Sequence, residues 1–154
     1  MTIEEKNMKL ALKEAGKSIL VDEVPIGCVI VKNNRVVARG HNLRETTNDP
    51  TGHAEIIAIR KASKKLKSWR LEGCDLYVTI EPCIMCSGAI IQSRINHVYF
   101  GAPDPKGGAF GSSINVLEAA KINHHPDVTG GILLEECSHI IKDYFKNKRN
   151  IKDE

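Results

Sequence analysis

Apolar positions recur at helical spacing from the start of the chain. Met8, Ala11, Leu12, Ala15 and Ile19 share one face, which predicts an opening amphipathic helix. Thr2 and Glu5 stand at the separation of a capping box, so each side chain can take up a free backbone amide at the helix start. Gly16 weakens the last turn. The pattern then changes to short β-branched runs, Ile26 to Val31 and Arg35 to Arg39, joined at Asn33-Asn34. Asparagine tolerates positive φ, so these runs predict a hairpin. Gly40 to Gly52 is polar and reads as a loop. Asp49-Pro50-Thr51 favours a helix start beyond it, and Ala54, Ile57, Ala58 and Ala62 predict a helix over His53 to Leu66.

Asp75 to Ile80 predicts the next strand. Pro82 suits a first helical position, where the missing amide proton costs nothing. Cys83 to Ser93 is small and apolar on most sides, as in a buried helix. His97 to Phe100 predicts a strand, and the Gly- and Pro-rich stretch from Gly101 to Ser113 a loop. Val116 to Lys121 predicts a short helix, Asp127 to Leu133 a strand interrupted by Gly130-Gly131, and Leu133 to Lys148 a final amphipathic helix. This alternation predicts a layered α/β domain, with an initial hairpin followed by parallel strands. No repeat or linker divides the 154 residues, so 1–154 is expected to form one domain.

Composition adds exclusions. With 42% hydrophobic and 27% charged residues, the chain can bury a core and is not a disordered or low-complexity tract. No apolar run approaches the roughly 20 residues of a membrane span, so no membrane partner is expected. The start, MTIEEKNMKL, is charged where an export signal is apolar, which predicts a cytoplasmic protein. Its five cysteines, an odd number, then read as reduced thiols or metal ligands. The net charge of +3 is mild, but its distribution is uneven. Arg60 to Arg70 holds six basic residues and no acid. Lys142, Lys146, Lys148, Arg149 and Lys152 face one acid, Asp143. Such runs form solvated helix faces or contacts to a polyanion.

The chemistry concentrates in two segments, His53-Ala54-Glu55 and Pro82-Cys83-Ile84-Met85-Cys86. His-x-Glu followed by Pro-Cys-x-x-Cys is the signature of the zinc nucleobase deaminases. The spacing makes physical sense. Cysteines at i and i+3 share a helix face, and a helix N-terminus favours thiolate over thiol. His53, Cys83 and Cys86 supply three ligands and leave one tetrahedral position open, as in catalytic rather than structural zinc sites. Zinc there can bring a bound water towards a pKa of about 7, supplying hydroxide at neutral pH. Glu55 is not needed as a ligand and is expected to face the open position as proton shuttle. His97 is the nearest rival fourth ligand. Cys28, Cys74 and Cys137 read as packing residues. His124-His125 reads as loop, and Gly107-Gly108 as a flexible wall of the cleft rather than a phosphate loop. Trp69 suits either core or base stacking.

The sequence resembles the bacterial tRNA-specific adenosine deaminases over nearly its whole length, from Val24-Pro25-Ile26-Gly27 to Arg149. The resemblance rests on Gly40-His41-Asn42, on Asp49 to Glu55, on Tyr77 to Cys86, and on Phe100-Gly101-Ala102-Pro103-Asp104. It departs from the family at Gly52, where many members carry alanine, and at Cys28. It implies a cytidine-deaminase-like three-layer α/β/α sandwich with a mixed five-stranded sheet, and a homodimer whose interface borders the active sites. It implies one Zn²⁺ per subunit on His53, Cys83 and Cys86, with no nucleotide cofactor. The implied substrate is the tRNA anticodon stem-loop, where adenosine becomes inosine at the wobble position, with the arginine tRNA of anticodon ACG expected. By the same resemblance Asn42 would hydrogen-bond the flipped base, an amide offering both donor and acceptor, and the Ala54 backbone would border the purine. Arg44, Asp104 and Lys106 would meet the anticodon loop. So would Phe145 and Arg149 in the last helix, where an aromatic ring and a guanidinium suit single-stranded RNA. Two rival readings are a deaminase of free guanine, cytidine or a deoxynucleotide on the same fold, and a zinc-stabilised RNA-binding module without catalysis.

Overall fold

The structure, a computed structural model, describes residues 1–119 and 121–152. Five strands form one mixed sheet: β2 (Arg35–His41), β1 (Gly27–Lys32), β3 (Cys74–Ile80), β4 (His97–Ala102) and β5 (Asp127–Thr129), in that spatial order. β1 pairs antiparallel with both β2 and β3, whereas β3, β4 and β5 run parallel. The expected hairpin is present. Asn33 and Asn34 both take positive φ (51° and 60°), the requirement of a two-residue turn that matches strand twist.

Helices cover both faces. α1 (Ile3–Ile19) and α5 (Leu134–Lys152) lie on one side, α2 (Ala54–Leu66) and α3 (Ile84–Gln92) on the other, and α4 (Val116–Ala119) is a short turn beside α3. Alternate side chains of the strands serve the two layers. Cys28, Ile30, Leu76, Val78, Val98 and Phe100 pack with Ala54, Ala58, Ala62 and Ile90. Val29, Val31 and Tyr77 pack with Met8, Ala11 and Cys137. A sheet buried on both faces needs near-continuous apolar strands, as the sequence shows. The Thr2–Glu5 capping box opens α1, with both reciprocal bonds formed.

Several boundaries differ from the expectations. β2 runs on to His41, β4 to Ala102 and α5 to Lys152. α3 begins at Ile84 with Cys83 as its N-cap, so Pro82 lies one residue before the cap. β5 ends at Thr129, because positive φ at Gly131 and Leu133 (87° and 51°) turns the chain away into α5. The short helix expected to reach Lys121 is described only to Ala119, and Ala120 lies outside the described residues.

Gly27 sets the distance between α1 and the sheet. A Cβ there would collide with the Ala11 carbonyl and would lie 2.4 Å from the Ala15 nitrogen, both helix backbone. At Gly16, a Cβ would meet nothing within 4 Å. Gly27→Ala is therefore expected to destabilise the fold by about 2 kcal/mol or more, since backbone cannot yield as a side chain can. Gly16→Ala should instead be neutral or stabilising by about 0.5–1 kcal/mol. Urea unfolding midpoints of the two variants check both signs.

Candidate active site

β2 and β3 flank β1 and both oppose it, so their C-terminal ends lie at the same edge of the sheet. The helices that follow them, α2 and α3, begin at that edge. His53 is the N-cap of α2 and Cys83 the N-cap of α3, each with extended backbone and neither side chain spent on capping. Cys86 lies one turn into α3. At Gly40, a Cβ would come within 2.5 Å of the Ala54 carbonyl, so the glycine lets the first turn of α2 sit directly on β2.

The three side chains converge. His53 Nδ1 lies 3.7 Å from Cys83 Sγ and 3.5 Å from Cys86 Sγ, and the three ligand atoms all fall within 4.8 Å of one another. Zn–S bonds of about 2.3 Å and Zn–N bonds of about 2.0–2.1 Å in a tetrahedron require S···N edges of about 3.6 Å. The observed separations fit that geometry without rearrangement. Among the described residues this is the group of three His, Cys, Asp or Glu side chains that could hold a metal ion.

The electrostatics suit a cation. A hydrogen bond from Cys86, against the cost of burial, pushes the Cys83 thiol down to about 4. The same hydrogen bond, then burial, pushes Cys86 up. The pair thus keeps one proton that a divalent ion would displace. The hydrogen bond to Cys83 raises His53. Glu55, in the first turn of α2, is 3% exposed. Burial above all pushes its carboxyl up to about 7, opposed by a hydrogen bond from its own amide and helped by the Cys83 charge. A carboxyl tuned to neutrality beside a metal-ligand set is suited to moving protons.

Two cavities adjoin this centre. One, of about 180 Å³, is lined by Val24, Ile26, Asn42, Arg44 and His53. It shares Val24, Asn42 and Arg44 with a wider cleft of about 440 Å³, whose far wall is Tyr144, Phe145 and Lys148 of α5. Of the expected site residues, Asn42, Arg44 and Phe145 therefore line one continuous groove leading from His53. Ala54 is fully buried at the start of α2. Asn42 is already engaged: Nδ2 donates to the Val24 carbonyl at 3.3 Å, and Oδ1 accepts from the Arg44 amide at 3.1 Å. One amide proton and one lone pair are left for a ligand. Arg149 is exposed on α5 and lines neither cavity. Nor do Asp104 and Lys106, where Asp104 Oδ1 accepts from the amides of Lys106 and Gly107 in a tight turn.

Sequence reasoning missed Tyr144 and Glu23, and read Lys148 only as part of a basic run. The spacing of 144, 145 and 148 on one helix face was the available signal for Tyr144 and Lys148. Tyr144 donates to Asp22 Oδ1 at 3.0 Å, and Lys148 Nζ lies 3.3 Å from Asp22 Oδ2. Glu23 accepts from the amides of Glu45 and Thr46 at 3.2 and 2.7 Å, holding the loop that carries Arg44. The rival ligands have other partners. His97 stacks on Tyr99 and pairs with the Thr129 hydroxyl at 2.7 Å. His124 Nε2 lies 2.6 Å from the Ile95 carbonyl. Cys28, Cys74 and Cys137 are buried, and burial raises all three thiols. Trp69 is 58% exposed, so it is not a core residue; the Arg70 and Arg94 guanidiniums lie over its ring.

A mixed sheet between helix layers, with His-x-Glu and Cys-x-x-Cys meeting at paired helix starts, defines a deaminase of the cytidine-deaminase-like fold. Residues 3–149 match the MafB19-like deaminases, and the chain belongs to that family. It is 49% identical to the tRNA-specific adenosine deaminase of Bacillus subtilis (strain 168), over 99% of this chain and 94% of that protein. A structure from a study of A-to-I editing by tRNA:A34 deaminases at the wobble position of transfer RNA superposes with a TM-score of 0.85. It shares 47% identity, over 88% of this chain and 98% of that one. Guanine deaminase from Bacillus subtilis superposes at a TM-score of 0.62 and 42% identity, over 64% of each chain.

Glu23 gives the site a pH dependence of known sign. Burial raises its carboxyl, but the amide and hydroxyl donors of Thr46 and the amide of Glu45 outweigh this, and the group ends below the usual carboxylate range. A carboxyl lowered in the folded state contributes stability above its unfolded pKa of about 4.3 and loses it as pH falls through the folded value. Glu23→Gln should therefore cost about 1–2 kcal/mol near pH 7 and progressively less below pH of about 4. Paired urea titrations of wild type and variant across that range check the convergence.

Proposed function

We propose that this chain hydrolyses adenosine to inosine at the wobble position of a tRNA anticodon, in the cytoplasm, with the arginine tRNA of anticodon ACG as substrate. The observation that carries the reading is the buried Glu55 carboxyl beside a three-ligand set with tetrahedral spacing. His53, Cys83 and Cys86 hold one zinc per subunit. Zinc, when bound, supplies the Lewis acidity that brings a water towards a pKa of about 7. Glu55 does the rest of the proton work. Its carboxylate takes a proton from the attacking water and passes it to the ring nitrogen beside C6. It then takes the proton of the new C6 hydroxyl and gives it to the departing C6 amino group as the carbonyl forms, so that adenosine and water give inosine and ammonia.

The base enters the small cavity beside His53, where Asn42 offers its remaining donor and acceptor and the Ala54 backbone borders the purine. Arg44, Asp104, Lys106, Phe145 and Arg149 meet the rest of the anticodon loop. Phe145 is 43% exposed at the cleft wall, available for stacking. A homodimer is part of the reading. The outer face of α3 supports it: Ile84 is 64% exposed, and Met85, Gly88 and Ala89 are partly exposed on a helix without a charged residue. The likeness to guanine deaminase favours a second reading, a free-base deaminase with the same zinc chemistry.

The test is ammonia release and wobble-base composition with an ACG-anticodon stem-loop, run beside free adenosine, cytidine and guanine. Inosine in the stem-loop alone is the expected result, and turnover of free compounds alone would select the second reading. Glu55→Ala should keep zinc and RNA binding yet lose turnover by about three orders of magnitude or more. An active variant would remove the proton-shuttle role, and loss of zinc would move Glu55 into the ligand set. Phe145→Ala with Arg149→Ala should weaken stem-loop binding and flatten its salt dependence by about one phosphate contact. Titrations at several salt concentrations read both effects.

A further inference from the structure

Glu81 is a buried carboxylate that the chemistry above does not use. It is 2% exposed, and among the described residues no lysine, arginine or histidine pairs with it. Its partners all come from one loop. Oε1 accepts from the Asp104 amide at 3.1 Å and from the Ser112 hydroxyl. Oε2 accepts from the amides of Phe110 at 3.0 Å and Ser112 at 3.1 Å. Four donors thus converge on the two oxygens, close to the capacity of a carboxylate. Such charge-assisted bonds are about twice as strong as neutral ones, and they lie where water does not compete.

The loop is built around this anion. At Gly108, any Cβ would strike the Glu81 carboxyl group, so the backbone lies directly against it. Ala109 donates to the Pro82 carbonyl at 2.9 Å, and the Phe110 ring is buried in the core. The far half of the loop, Phe110 to Ser112, is thereby tied to the same two oxygens as Asp104 at its near end. The exposed turn between them carries Lys106. The Glu81 backbone is fixed by the hydrogen bond its amide donates to the Ala102 carbonyl at 2.8 Å, and it stands two residues before Cys83.

We infer that Glu81 is a positioning residue. It clamps the Asp104–Ser112 loop in a preformed shape at a fixed offset from the metal-ligand turn, so that the loop meets the RNA substrate without an ordering cost. This rests on the proposed tRNA reading, because the loop is the part of that reading which lies away from the groove. Glu81→Gln keeps size but presents an NH₂ group to amide donors, so at least one oxygen's set of bonds is lost. The clamp predicts an effect on substrate binding and not on the chemical step.

The experiment uses the full-length, zinc-loaded protein and an ACG-anticodon stem-loop. In Glu81→Gln, amide hydrogen exchange across 104–112 should accelerate about tenfold or more while β3 and β4 stay protected, with zinc content unchanged. Stem-loop Kd and KM should rise about tenfold, with kcat within about twofold of wild type. Ser112→Ala, an exposed site that removes one donor, should move exchange and affinity the same way by a smaller factor. It keeps the test open should Glu81→Gln fold poorly. Unchanged loop exchange, or a fall in kcat at unchanged KM, would overturn the inference. Wild-type protein that binds the stem-loop without deaminating it would bring down the functional reading alone, since loop exchange and affinity still judge Glu81.

Discussion

Strand direction is the constraint on which the site depends. β1 opposes both of its neighbours, so β2 and β3 end at one edge and deliver two helix starts to it. His53 and Cys83 are 30 residues apart, and no local interaction could bring them together. The sheet does so, in the manner general to open α/β sheets, whose ligands gather beyond the carboxyl ends of strands. The pairing is also intolerant of error. A one-residue slip of β3 would exchange the faces of Leu76 and Tyr77 and carry Cys83 away from His53. The apolar pattern of the strands, which looks like a stability device, is therefore also what sets the distances between ligand atoms.

Four glutamates are nearly inaccessible, and their partners separate their roles. Glu14 pairs with Lys17 at 2.8 Å and faces His41 at 3.5 Å. Glu23 and Glu81 are held by loop amides. Glu14 is met by side chains, whereas Glu23 and Glu81 each fix a piece of backbone. Glu55 is buried to the same degree, and there burial above all pushes the carboxyl up to about 7, with the Cys83 charge adding to the rise and His53 opposing it. Burial alone does not mark a proton carrier. For Glu23 the loop donors outweigh burial and hold the carboxyl low, whereas for Glu55 burial prevails.

Much of this was legible in the sequence where the governing interaction is local. The Thr2–Glu5 cap, the Asn33-Asn34 turn and the Cys83–Cys86 spacing each span four residues or fewer, and each formed as expected. The alternation of periods predicted a layered α/β domain, while its three layers and mixed five-stranded sheet came from the resemblance to the tRNA-specific adenosine deaminases. What could not be read depends on distant partners. Glu81 finds donors 23 to 31 residues away, and nothing in Thr-Ile-Glu-Pro-Cys announces them. The same cause corrects Gly107-Gly108. It reads as a flexible wall, yet Gly108 is buried against Glu81, and glycine is required there for space rather than freedom. Pro82 falls outside α3 because its carbonyl is taken by Ala109, a residue no local rule connects to it.

The stretch from Ser18 to Ile26, which joins the end of α1 to β1, organises the groove. Ser18 donates to the Asn42 carbonyl at 2.9 Å, the Val24 carbonyl accepts from Asn42 Nδ2, and the Ile26 carbonyl accepts from the Asn42 amide. Glu23 holds the Glu45–Thr46 amides of one wall, while Asp22, in a left-handed conformation (φ 56°), holds Tyr144 and Lys148 of the other. Adjacent side chains thus grip opposite sides of the same cleft. The turn therefore links the two walls directly, in addition to the packing of α5 on the sheet. Aspartate adopts positive φ more readily than most residues, so the turn can point the two carboxylates apart with little strain. The connection between α1 and β1, most of it without helical or strand signal, is therefore part of what shapes the groove.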